Sequence, residues 1–131
     1  TLDAAAGGVL TGANSVIIGS QMANGTGTII TNDVNDYSGN TVVTRGSALH
    51  FTPVNTATPA GGLGNGTGAV HVFGELRATG TNGSFKNSAG TANLYAPVLH
   101  PGSILRLQDA NATGVAADRW HDTTAISLNS S

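Results

Sequence analysis

The 131 residues predict an all-β chain stacked as a parallel β-solenoid, and three observations carry that expectation. Composition is the first. Only 9% of residues are charged and 5% are aromatic, whereas 19 are glycine. A helical domain needs periodic runs of Leu, Ala, Glu and Lys that this chain lacks. A disordered chain would carry more charge than a net −2 and fewer than 39% apolar residues. Recurrence is the second observation. Thr41-Val42-Val43-Thr44, Gly46, Ala48-Leu49-His50-Phe51 is echoed by Ala69-Val70-His71-Val72, Gly74, Glu75-Leu76-Arg77-Ala78. A looser copy runs Val98-Leu99, Gly102, Ile104-Leu105-Arg106-Leu107, so the central leucines Leu49, Leu76 and Leu105 recur at a solenoid-like period. Variable connection length is the third, as expected when loops leave one edge of a stack. An up-and-down barrel or a sandwich also gives short strands with Gly-rich turns. The near-constant strand–Gly–strand spacing favours the solenoid.

Taken in order, the chain opens with Leu2, Ala4 to Ala6 and Gly7-Gly8, a short helix or capping turn that the glycines end. Ser15-Val16-Ile17-Ile18 reads as a buried strand, and Thr28-Ile29-Ile30-Thr31 as the next. Asn32 to Gly39 is a polar turn containing Tyr37, built from Asx side chains; its acids lack calcium-loop spacing. The two full copies follow. Between them, Pro53 to Gly68 holds two prolines and five glycines and reads as a projecting loop. Thr81 to Gly90 and Asp109 to Asp118 are further loops. Ala92 to Tyr95, Val98-Leu99 and Ala125-Ile126-Ser127-Leu128 complete the strands. Alternation sets the faces: Leu49, Val70, Val72, Leu76 and Leu105 point inward, and His50, His71, Arg77 and Arg106 point outward.

Several functions are disfavoured at once. Five Lys and Arg give no phosphate-neutralising surface, so no nucleic-acid partner is expected. There are no cysteines, hence no disulfide or thiolate metal site. No apolar run reaches membrane-spanning length, so this segment is not expected to insert in a membrane. The ends fall in mid-pattern, and residues 1–131 read as a single solenoid segment excised or processed from a longer chain.

Asp36-Tyr37-Ser38-Gly39-Asn40-Thr41-Val42-Val43 with Arg45-Gly46-Ser47-Ala48-Leu49 resembles the opening of the autotransporter-associated β-strand repeat. Leu63-Gly64-Asn65-Gly66-Thr67-Gly68-Ala69-Val70 with Gly74-Glu75-Leu76 resembles its second half. Pro101 to Leu105, Asp118-Arg119 and Asp122 to Leu128 resemble a companion element of large bacterial passenger proteins. The similarity covers residues 36–80 and 98–129, and the insert Thr52 to Gly62 departs from it. The resemblance implies a right-handed parallel β-helix of about five coils from the exported region of a large bacterial surface protein. Such regions serve as stalks, adhesins or display scaffolds. It also implies that Asp118, Arg119 and Asp122 fix a loop against the stack.

Candidate chemistry is sparse. Among His50, His71, His100 and His121 no spacing marks a metal site, and His50 and His71 read as lone solvated imidazoles. Asp118-Arg119-Trp120-His121-Asp122 is the densest polar cluster; Trp120, His121, Tyr37 and Tyr95 are the candidate glycan contacts. His50, Arg77 and Arg106 occupy equivalent outward positions and form a candidate basic ladder for an acidic glycan. Glu75 is the only Glu, and glycosidase chemistry needs two convergent carboxylates. The expectation is therefore a non-enzymatic structural or adhesive segment without cofactor or metal, extracellular or on the bacterial surface. Its expected partners are neighbouring coils of the parent protein or like copies stacked into a fibre, with surface glycans as a candidate ligand. The contrasting expectation is a carbohydrate-binding or carbohydrate-active β-helix, such as a lyase or a tailspike-like depolymerase.

Overall fold

The computed structural model describes residues 10–19, 28–30, 35–51, 63–64, 67–78, 96–107 and 126–129. Nine short strands account for about half of them: β1 (Val16–Ile18), β2 (Thr28–Ile30), β3 (Thr41–Val43), β4 (Ala48–Phe51), β5 (Val70–Val72), β6 (Glu75–Ala78), β7 (Pro97–Leu99), β8 (Ile104–Leu107) and β9 (Ser127–Leu128). No helix occurs among the described residues, and none long and apolar enough to cross a membrane. The proposed initial helix, the strand Ala92 to Tyr95 and most of the projecting loops lie outside the described residues.

Odd and even strands separate into two parallel sheets, in the orders β1-β3-β5-β7-β9 and β2-β4-β6-β8. The chain therefore adds one strand to each sheet per repeat, so each strand pairs with the strand two positions later. Two inward rows pair aliphatic on aliphatic: Leu49 faces Leu76, which faces Leu105, and Val43 faces Val72, which faces Leu99. Both sheets meet on one core, made of Ile18, Val43, Leu49, Leu63, Val70, Val72 and Leu76, with Val16, Leu99 and Leu105 packed against it. Burial of each leucine there stabilises by about 2–3 kcal/mol. All-β architecture with parallel sheets agrees with the expected fold class.

The corners explain the spacing. After β3 and after β7 the chain turns through Thr44-Arg45-Gly46-Ser47 and His100-Pro101-Gly102-Ser103. Each is closed from its fourth N–H to its first carbonyl, at 3.1 and 3.0 Å. Gly46 (φ +77°) and Gly102 (φ +82°) take the positive φ that the third position of a type II turn requires. After β5 only Phe73-Gly74 intervene. This corner is two residues shorter, which is why Thr41 to Val70 is 29 residues but Val70 to Pro97 is 27. Gly74 fits because it has no Cβ: one placed there would lie 2.2 Å from the Ser47 carbonyl oxygen. Gly39 and Gly68 are stacked in the same way, and a Cβ on Gly68 would meet the Gly39 carbonyl oxygen at 1.9 Å.

Three details depart from the sequence reading. Leu63, assigned to a projecting loop, is 3% exposed and belongs to the core. Pro97 opens β7 inside the five-stranded sheet; β9 pairs only from Val98 onward, so the missing N–H disturbs no bond on that side. Leu107 is exposed, since β8 is the outermost strand of its sheet. Urea unfolding should show Leu76→Ala losing about 2–5 kcal/mol and Gly68→Ala at least about 2 kcal/mol. Ile17→Ala, at an exposed outward position, should stay within about 0.5 kcal/mol of the parent.

Candidate functional site

Two polar constellations stand on the outer faces of the sheets. On the four-stranded sheet, His50 of β4, Arg77 of β6 and Arg106 of β8 occupy one register row, as their sequence positions suggest. Glu75 shares the outer face of β6 with Arg77 and is buried. Its Oε1 accepts from Arg77 Nε (2.8 Å), Arg77 Nη2 (2.6 Å) and Arg106 Nε (3.0 Å). Burial opposes ionisation of Glu75, yet the Arg77 hydrogen bonds and the charges of both arginines outweigh it and hold the carboxyl below its ordinary 4.5. The first element of the row differs. Burial, then the Arg77 charge, push the His50 imidazole below its ordinary 6.5, so it is neutral at pH 7. Its Nε2 is shut off from solvent and has no hydrogen-bond partner. His50 is therefore not the solvated imidazole its outward position implies. The ladder carries two guanidiniums and one carboxylate, a surplus of one positive charge rather than a polyanion track.

On the five-stranded sheet the register places His71 of β5 beside β7, and His100 directly follows β7. The two meet: His71 Nδ1 lies 3.2 Å from His100 Nε2. His100 Nδ1 lies 3.3 Å from the side-chain amide of Asn129, just after β9. Phe73 stacks on His100 with ring centres 3.8 Å apart and planes 13° apart. Three successive repeats are thereby joined through imidazole and amide groups. The reading of His71 as a lone imidazole is corrected. No local spacing reveals the pair: its separation is 29 residues, two more than the 27 that place Val98 opposite His71, so His100 is reached on a diagonal.

Of the candidate glycan contacts only Tyr37 is among the described residues. Tyr37 is 1% exposed, its hydroxyl bonded to Thr41 Oγ1 at 2.5 Å, and burial raises its pKa. Its ring packs against Gly64, and no face is left for a sugar. Trp120, His121 and Tyr95 lie outside the described residues. Asn35 Oδ1 accepts from the Leu10 N–H at 2.9 Å, 25 residues away, whereas Asn32 to Val34 of the expected Asx turn lie outside the described residues. A shallow crevice of about 290 Å³ lies at the β7–β8 corner, between Leu99, His100, Pro101, Ser103, Leu128 and Asn129. Among the described residues no group of three or more His, Asp or Glu side chains converges.

Comparison with known proteins returns no matching family model, no matching curated protein and no matching solved structure.

Glu75 ties acid sensitivity to the outer row. Its folded pKa lies below its unfolded one, so its contribution is complete above pH 4.5 and is lost as pH falls through the folded value. Glu75→Gln should lower the urea midpoint at pH 7 and converge with the parent near the acid end. Removing the orphaned imidazole acts the other way: His50→Leu should raise stability by about 1 kcal/mol at pH 7, read by the same titration.

Proposed function

We propose that this chain is a non-enzymatic structural or adhesive segment of an exported bacterial surface protein. In this reading the two sheets are walls of one right-handed parallel β-helix of about five coils, similar to autotransporter-associated β-strand repeat regions. The observation that carries it is the in-register stacking of like residues around one continuous aliphatic core. Successive repeats extend such a stack in one direction, which builds length and stiffness rather than a cleft. The outer polar groups support the same reading. Glu75 is consumed by Arg77 and Arg106 and offers no free acid for glycoside chemistry. Tyr37 is withdrawn into the interior, which weakens the glycan-binding alternative.

The last described strands also suit growth by addition. Ile104, Leu107 and Leu128 are 48%, 44% and 75% exposed, and an uncovered sheet edge pairs readily with a further strand. The rod therefore continues either into neighbouring coils of a parent chain or into like copies stacked end to end, outside the cell or on its surface. Purified chain examined by electron microscopy and fibre diffraction should form filaments with a repeat of about 4.8 Å along the axis. Incubation with acidic polysaccharides should release no shortened or unsaturated product. Product release would overturn the non-enzymatic reading, and a strictly monomeric species at all concentrations would overturn end-to-end stacking.

A further inference from the structure

We propose that His71 and His100 together form a binding site for one divalent late first-row transition-metal ion, of the zinc class. The donors come from successive repeats on the outer face of the five-stranded sheet, and both side chains are half-buried, reachable from solvent. His71 Nδ1 and His100 Nε2 are 3.2 Å apart. Bonds of about 2.0–2.1 Å to a tetrahedral ion place two ligand nitrogens about 3.3 Å apart. The donor spacing is thus already that of two ligands on one ion. Without metal the rings meet head to head, with centres 5.5 Å apart and planes 42° apart, and share one N–H···N bond. Metal entry requires the shared proton to move to the other nitrogen of its own ring and both rings to pivot until the lone pairs converge. The nitrogens themselves need hardly separate.

His100 is held for this role from two sides. Phe73 stacks on its face and fixes the ring plane. Asn129 meets Nδ1 at 3.3 Å. Rotation of that amide brings its oxygen to accept from His100 Nδ1–H, which leaves Nε2 as the lone-pair nitrogen facing His71. An outer partner that sets the tautomer and orientation of a ligand histidine is the usual companion of such sites. Two neutral imidazoles suit zinc, copper or nickel and not the oxygen-seeking magnesium or calcium. With no third His, Asp or Glu converging among the described residues, water completes the coordination. The site is therefore open, exchangeable and weaker than a closed four-ligand site. Arg45, whose guanidinium lies beside Gly102 in the β7–β8 corner, is the nearby fixed charge and weakens cation binding further. A bound ion would clip the third and fourth repeats together across the stack, and stabilise the fold by mass action.

Isothermal titration and thermal unfolding of the full chain, freed of any affinity tag, test this with zinc chloride at pH 7.5 and magnesium chloride as control. The expected result is one saturable zinc ion per chain and a rise in Tm with zinc alone. His71→Ala and His100→Ala should each abolish saturable binding, Asn129→Ala should weaken it about tenfold, and His50→Ala should leave it unchanged. The urea midpoint of each variant, measured without metal, shows that it is folded. No saturable zinc binding by the parent chain overturns the proposal. So does binding of unchanged affinity in either folded histidine variant.

Discussion

Parallel pairing in strict register is the constraint on which the rest of the structure depends. Each strand bonds to a strand one repeat away, and the matched inward rows set residue type over a distance of 27 to 29 residues. A slip of one residue would turn Leu76 outward and Arg77 inward, burying a guanidinium in an aliphatic interior. The matched rows Leu49–Leu76–Leu105 and Val43–Val72–Leu99 exclude that alternative. The same register acts outside, where it gathers His50, Arg77 and Arg106 into one row and sets His71 opposite Val98, within diagonal reach of His100. Interior and exterior chemistry are two consequences of one backbone arrangement.

Stacking also dictates where side chains are forbidden. Backbones of adjacent repeats approach so closely at the corners that Gly39, Gly68 and Gly74 have no room for a Cβ. Polar groups fill the remaining backbone needs across repeats: Thr44 Oγ1 donates to the Ile18 carbonyl at 2.9 Å, and Asn40 Oδ1 accepts from the Ala69 N–H at 3.0 Å. The abundance of Gly, Thr and Asn thus reflects corners and cross-repeat bonds as much as solubility. Charges are few, and those described on the four-stranded sheet are spent largely on one another around Glu75.

Strand identity and inward-facing residues were legible because alternation and a recurring Gly survive in a single sequence. Val70-His71-Val72 and Glu75-Leu76-Arg77 state their faces without any partner being known. The row of His50, Arg77 and Arg106 was legible for the same reason, since each lies one residue after a matched leucine. What those side chains do was not. That Glu75 pairs with two arginines depends on rotamers, Arg77 reaching back along its own strand and Arg106 diagonally between strands, and that His50 loses solvent depends on neighbours filling the space around it. His71 and His100 look unrelated because the register sets Val98, not His100, opposite His71, and the two rings meet only diagonally across adjacent strands. Tyr37 and Leu63 were misread because polar neighbours and glycines mark a turn, while a single large apolar side chain in a turn can still point to the core.

Parallel register between successive repeats is tested most directly by nuclear Overhauser contacts in the labelled chain. Parallel pairing predicts backbone contacts linking Leu49 to Leu76 and Leu76 to Leu105, and Val42 to His71, without the short α-proton pairs of antiparallel strands. Strong α-proton contacts in reversed order, with Ala48 opposite Ala78, would contradict it.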